Sequence, residues 1–596
     1  MCGIYGIVSF NNNPINIEQF NRIGNSLIHR GPDSQGSFLE PNVCIGHNRL
    51  SIIDLSEKGK QPMVSSDGNL VIAFNGEIYN FQELKDKLIK LDVHFMSLTD
   101  TEVILNAFSV WGTESFDMLN GIFSFVIFDK RSNTLYFVRD YAGIKPLYYF
   151  ISNNVLIFSS EIRGFRAYDV NWPSNDEWPI YFLSYGFIPF EFTTLRNVHS
   201  LKKGCYLSVD LSSGVNKIHE YKVFRYTNSI TDEKEALRKV RYTLQNSVSR
   251  NMISDAPLGI FLSGGIDSSL IALIADSLKP KNLITLSITF EEANFTEESF
   301  QEIVLRRMKP HQHLQVEITG QNFIEKIDDI FESMDQPTCD GINSYFISEA
   351  AHKMGLKAVL SGLGADELFG GYPSFNRINW LKALHKVPSP ILKSFDNFQN
   401  EKVARLAYFG LESNIKDYLF FRGIFSPKNV ATLTGIQEST VINILNVFKF
   451  NEYPTIYDKN LASFLESNIY MQYQLLKDTD YMSMWHSLEV RVPFLDKELI
   501  SLMHLISPDI KYNSDQKKYL LKKAFEDILP TPILNRKKQG FTFPFDIWFR
   551  ENINIFKPML PKTKAIQKML HNFELGNLHW SRLWMLIVFN RFQNQV

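Results

Sequence analysis

Three short apolar runs beyond residue 250, PLGIFL (257–262), LITLSITF (283–290) and LKAVLSG (356–362), are each followed by a turn and a stretch of helical periodicity. This alternation is the strongest constraint on the fold. Strands joined through helices run parallel, and a parallel sheet is covered by helices on both faces. The first 200 residues read differently. CGIYGIVSF, LVIAFNG, GIFSFVIFD, TLYFVRD and VLIFSS are β-branched and aromatic runs separated by turn residues, with helical patterns around 81–91 and 101–111. Strand character continues through KKGCYLSVD (202–210). It then gives way to a helix that Thr231 or Asp232 can cap, with acidic residues in its first turn. The change of pattern puts a boundary near 225–232 and predicts two domains, 1–225 and 232–596. The last 200 residues read as mostly helical.

Charge and cysteine usage narrow the function classes. The 62 basic and 64 acidic side chains leave a formal charge of −2, which gives no electrostatic case for a nucleic acid or an anionic membrane partner. Cys2, Cys44, Cys205 and Cys339 fit neither a zinc spacing nor a disulfide framework and suit a reducing cytoplasm. The N-terminal run lacks a basic n-region, so it is not read as a signal peptide. LWMLIVF (583–589), the most apolar stretch, is too short to span a bilayer and predicts a buried helix.

Cys2 is the first candidate for chemistry. Once the initiator Met is removed, its α-amine titrates near pH 8 and can act as base for the thiol of the same residue. Four stretches support it: HRGPD (29–33), HNRLSIID (47–54) with Arg49 heading a strand-like run, FNGEIYN (74–80) with Asn75 and Gly76 after an apolar strand, and LTDTEVI (98–104) with Asp100 before a helix. Taken singly, each has an ordinary structural explanation. Together they resemble the glutaminase domain of class II glutamine amidotransferases, an α+β N-terminal-nucleophile hydrolase with an αββα sandwich. The resemblance implies that Cys2 attacks the glutamine carboxamide, that Asn75 and Gly76 form the oxyanion hole, and that Arg49 pairs with the α-carboxylate. It also implies that Asp100, with Glu77 nearby, accepts from the α-ammonium.

The second domain opens on FLSGGIDSS (261–269), between a strand and a helical run. Glycines admit a phosphate close to the backbone and a helix N-terminus attracts an anion. The Gly-Lys-Ser/Thr of a Walker A loop is absent. The string resembles the pyrophosphate loop of the ATP pyrophosphatases, and LSGLGADELFGGY (360–372) follows at another strand end. By that resemblance Leu262, Ser263, Gly264, Gly265, Asp267, Ser268, Ser269, Ile288, Ser361 and Gly362 hold ATP, and Asp267 and Asp366 hold Mg²⁺, which takes one or two carboxylates beside phosphate oxygens. DTDYMSMWHSLEVRVPFLD (478–496), QKKYLLKKAF (516–525) and NRKKQGFTFP (535–544) resemble the helical remainder of asparagine synthetases. Lys518 matches a family lysine that contacts the phosphates, while Arg491 and Asp496 read as structural.

The chain thus resembles glutamine-hydrolysing asparagine synthetases from end to end. The resemblance implies a cytoplasmic ligase of asparagine biosynthesis, with an α/β parallel-sheet synthetase domain, a helical C-terminal part and a homodimeric assembly. Ammonia from Cys2 would reach an aspartyl adenylate made from ATP. One position departs from the family pattern. Members established on aspartate read Ser-Gly-Glu-Gly where this chain has Ser361-Gly362-Leu363-Gly364. Either another carboxylate, Glu367 or Asp340, replaces that glutamate, or the acceptor is a different carboxylate such as a uronic acid of a surface polysaccharide. A lactam-forming or non-catalytic relative is disfavoured, because Cys2, Arg49, Asn75 and Asp100 are all present.

Overall fold

The computed structural model describes residues 2–11, 13–189, 191–278, 283–292, 294–309, 311–398, 400–513, 516–536 and 543–595. Met1 and residues 537–542 of NRKKQGFTFP therefore lie outside the described residues. Among the described residues, the first part forms two six-stranded sheets. One has the order β10(His199–Ser200), β8(Tyr148–Ile151), β9(Val155–Ser159), β1(Gly3–Ser9), β3(Val43–Arg49), β2(Ser34–Glu40). The other runs β12(Asn216–Glu220), β11(Cys205–Asp210), β7(Thr134–Arg139), β6(Gly121–Asp129), β5(Leu70–Ile78), β4(Met63–Val64). All pairings in both are antiparallel.

Alternation along the strands builds the layers. In β1, Ile4 and Val8 join Ile45, Val71, Ala73, Val126 and Phe137 in a core between the sheets. Tyr5 and Ile7 face outward onto Phe20 and Ile23 of the helix Ile17–Ser26. In β5, Leu70, Ile72 and Phe74 face the helices Phe81–Ile89 and Asp100–Trp111. Strands apolar on both faces must be covered on both, and the result is the αββα sandwich.

The chain leaves β12 at Glu220 and enters the helix Glu233–Asn251, whose N-cap Asp232 accepts from the Glu235 amide at 2.7 Å. A five-stranded sheet follows in the order β15(Gln312–Glu317), β14(Ile284–Thr289), β13(Leu258–Phe261), β16(Ala358–Leu360), β17(Glu489–Arg491). Every pairing in it is parallel. The sequence reading missed β17. Its three residues, Glu-Val-Arg, carry two charges, and all three are buried. A second difference concerns Arg49, which ends β3 instead of heading a strand; residues 50–52 are buried but not in a strand.

The rest is helical. A wide π-type turn, Glu466–Leu475, runs into the helix Leu476–Trp485. In the helix Trp580–Gln595 the run Leu583–Phe589 is buried, as its apolar character requires. No helix among the described residues is long and apolar enough to cross a membrane. All four cysteines are free thiols.

Buried charges tie the two parts together. Arg30, fully buried, donates to Glu161 at 2.6 Å and across the junction to Asp480 at 2.8 Å. Lys145 reaches the other Asp480 oxygen at 3.4 Å. At the rim, Lys357 pairs with Asp33 at 2.5 Å.

Candidate active site

β1 delivers Cys2 to a buried position where Sγ stands 4.0 Å from the Leu50 carbonyl oxygen. Burial pushes its thiol pKa up, and nearby Arg49 pulls it down. The Cys2 nitrogen donates to Asn75 Oδ1 at 3.0 Å, while Asn75 Nδ2 stands 3.5 Å from Ser124 Oγ. β5 supplies Asn75 and then Gly76, whose φ of +148° lies outside the range of ordinary side chains. A Cβ at Gly76 would stand 2.0 Å from the Ile122 carbonyl oxygen of β6, so only glycine lets these strands approach.

Arg49 is buried, with its guanidinium donating to the carbonyls of Ser56 at 3.0 Å and Asp54 at 2.5 Å. Asp100 is the first residue of its helix; Thr99 is the cap, accepting from the Glu102 amide at 3.2 Å. Asp100 itself accepts from the Ile78 amide at 2.9 Å, and burial raises its pKa to about 6. Glu77 is held well above the usual carboxylate range by burial and by Glu489, against the pull of Arg491. Sequence reasoning missed Glu489 of β17 and read Arg491 as structural only. Glu489 also acts on the Cys2 thiol, raising its pKa, and Arg491 stands 3.5 Å from Glu77.

The second constellation lines a cavity of about 280 Å³ at the C-terminal ends of β13, β14 and β16. Open parallel sheets place their ligands at this edge. Leu262, Ser263, Gly265, Asp267, Ser268, Ile288, Ser361, Gly362 and Asp366 all contribute to its wall. Gly264 and Ser269 are not among the lining residues. Gly264 makes the turn at φ +75°, and Ser269 sits in the helix with its amide on Gly265. Ser263 and Ser268 share a hydroxyl contact of 3.0 Å that closes the loop onto the helix Ile266–Leu278.

Lys518 lies buried at the start of the helix Tyr519–Ala524, although its sequence context reads as an exposed lysine-rich face. Its ammonium bridges Asp267 and Asp366 at 2.5 Å each. Burial opposes that charge, but the two carboxylates prevail and raise its pKa. No group of three or more acidic, histidine or cysteine side chains among the described residues could hold a metal ion alone. The paired hard oxygens of Asp267 and Asp366 fit a magnesium that brings phosphate ligands with it.

Leu363 also lines the cavity, with Asp340, Asn343, Asp478 and Thr479. Burial raises the carboxyl groups of Asp340 and Asp478. Glu367 is not in the wall; it stands behind, accepting from the Tyr372 hydroxyl at 2.8 Å, and burial lifts it to about 7. Asn343, Asp478 and Thr479 escaped the sequence reading. The string CDGINS, which runs into the helix Ile342–Lys353, was a signal for the first of them.

A family model described as asparagine synthase matches residues 239–566, and one described as glutamine amidotransferase domain matches residues 1–222. Asparagine synthetase [glutamine-hydrolyzing] 1 of Bacillus subtilis is 32% identical over 575 residues, covering 93% of this chain and 89% of that protein. Putative asparagine synthetase [glutamine-hydrolyzing] 2 of Methanocaldococcus jannaschii is 36% identical over 397 residues, 62% of this chain and 76% of that one. A protein named amidase chry2, from Gibberella zeae, is 26% identical over 604 residues, covering 93% and 87%.

Proposed function

The chain belongs to the asparagine synthase family and is a glutamine-hydrolysing, ATP-using amidoligase, and from that premise we propose that it moves the amide nitrogen of glutamine onto the side-chain carboxylate of aspartate. The observation that carries the reading is the position of β17. Glu489 and Arg491 belong to the surroundings of Cys2 and Glu77, while Val490 between them lines the second cavity. The two sites stand on opposite faces of one short strand.

The chemistry follows from the groups present. The Cys2 amine, freed of Met1 and oriented by Asn75 Oδ1, takes the thiol proton. Sγ attacks the glutamine carboxamide carbon, and the Gly76 amide and Asn75 Nδ2 donate to the developing oxyanion. The Cys2 ammonium returns its proton to the amide nitrogen as the C–N bond breaks, ammonia leaves, and water, activated by the same amine, hydrolyses the thioester to glutamate and restores the thiol. Arg49 receives the α-carboxylate. Asp100 and Glu77 accept from the α-ammonium, whose arrival favours their ionised forms.

In the second cavity an acceptor carboxylate oxygen attacks the α-phosphorus of ATP and pyrophosphate leaves. Ammonia then attacks the acyl carbon of the adenylate and AMP departs. Lys518 donates to the phosphates from between the two loops. Asp267 and Asp366 would hold the magnesium that accompanies ATP, which supplies charge neutralisation there. Enclosure keeps ammonia from protonation in bulk water and the adenylate from hydrolysis.

Leu363 favours a second reading. At Leu363, where the family pattern has a glutamate, the wall carries an apolar side chain, and Asp340 in the same cavity would replace that carboxylate. If Asp340 does not serve, the acceptor is another carboxylate, such as a uronic acid. The test is Cys2→Ala, assayed with glutamine and with ammonium chloride. The reading expects glutamine-dependent amide formation to vanish and ammonia-dependent formation to persist; loss of both, or of neither, contradicts it.

A further inference from the structure

One residue touches both sites. The Arg491 carbonyl accepts from the Ser361 amide at 2.8 Å, and Ser361 opens the second loop of the nucleotide cavity. Its side chain runs the other way and is fully buried. Nη1 donates to the carbonyls of Asn251 at 2.8 Å and Ile253 at 2.5 Å, Nε donates to Glu489 at 2.5 Å, and Nη2 stands 3.5 Å from Glu77 Oε1. Glu77 follows Gly76 in β5, and its Oε2 is buried with no hydrogen-bond partner.

We propose that Arg491 is a positioning residue, setting the Glu77 carboxylate for glutamine according to whether the nucleotide loop is filled. The proposal rests on the two-site reading above. The guanidinium is a rigid planar fork, and because its buried side chain is pinned by Glu489, Asn251 and Ile253, a shift of the Arg491 backbone changes where Nη2 meets Glu77. Ligand in the cavity acts on Ser361, Ser361 is bonded to the Arg491 backbone, and the fork ends at Glu77. Because the Arg491–Glu77 contact of 3.5 Å is longer than a normal hydrogen bond, small movements change it between loose and firm. Low local dielectric makes that difference large at a buried carboxylate. Coupling of this kind is reciprocal, so glutamine binding alters ATP affinity by the same factor.

The test measures the glutamine KM and kcat of hydrolysis with and without ATP and Mg²⁺ in the wild type, R491K, E77Q and the double variant. Melting curves verify the fold. Wild type should show a KM that ATP changes by at least about fivefold. In R491K and in E77Q that ratio should fall below about twofold, whatever the absolute KM, and the double variant should match the singles, since both changes cut one path. A merely structural Arg491 would lower stability and leave the ratio intact. Full retention of the ratio in either single variant, or a wild type indifferent to ATP, overturns the proposal. Should R491K fail to fold, E77Q alone decides. A wild type that hydrolyses no glutamine under any condition refutes the two-site reading instead.

Discussion

Glu367 shows how burial beside a like charge sets a side chain's chemistry. Its carboxyl is raised from 4.5 to about 7 by burial and by Asp366. Between those values the native state keeps a proton that the unfolded chain has lost, so stability falls as pH rises through this window, by up to about 3 kcal/mol. Glu367→Gln should therefore leave stability unchanged near pH 4 and increase it by that amount near pH 8. Urea denaturation at the two pH values measures this; equal effects at both would contradict it. Gly76 is constrained by backbone and not by charge. Gly76→Ala forces a Cβ against the Ile122 carbonyl at a φ that side chains avoid. It should cost about 3 kcal/mol and abolish glutaminase turnover, read by melting and glutamate release.

At the scale of elements, Lys518 joins two loops that come from strands far apart in sequence. Lys518→Met would remove the ammonium that bridges Asp267 and Asp366. Because both carboxylates are about one-fifth exposed, the cost is about 2 kcal/mol, below that of a fully buried pair. Magnesium chloride alone should recover much of the lost melting temperature in this variant and have little effect on wild type. A variant that melts like wild type without magnesium contradicts the arrangement. Elements also set what could be read beforehand. Runs such as LVIAFNG and GIFSFVIFD announce strands through composition, and PLGIFL-SGG announces a strand, loop and helix. β17 could not be read, since Glu489 and Arg491 are strand-compatible only when buried against each other, with Glu77 and the carbonyls of Asn251 and Ile253 from other segments completing the Arg491 partners. The resemblance singles out Lys518, but its burial is not legible locally: its carboxylate partners lie about 150 and 250 residues away in sequence, and local context shows only neighbouring lysines.

Across the whole molecule, the junction between the sandwich and the parallel sheet is held by charges that neither part can satisfy alone. Arg30 and Lys145 come from the first part, and Asp480 comes from the helix Leu476–Trp485. Asp480→Asn leaves Lys145 without that partner and weakens the Arg30 network, which should cost about 3 kcal/mol in denaturant unfolding. An unchanged midpoint would mean that the junction charges contribute nothing. The same closure puts Cys2 and the second cavity on either side of β17, and the transfer of nitrogen between them is the central claim. Its most direct measurement is a mass-spectrometric product assay with amide-¹⁵N glutamine, ATP, Mg²⁺ and aspartate. The account predicts ¹⁵N-labelled asparagine with stoichiometric AMP and pyrophosphate. Release of labelled ammonia with no labelled amide and no AMP, from aspartate and from uronic acids alike, would contradict it.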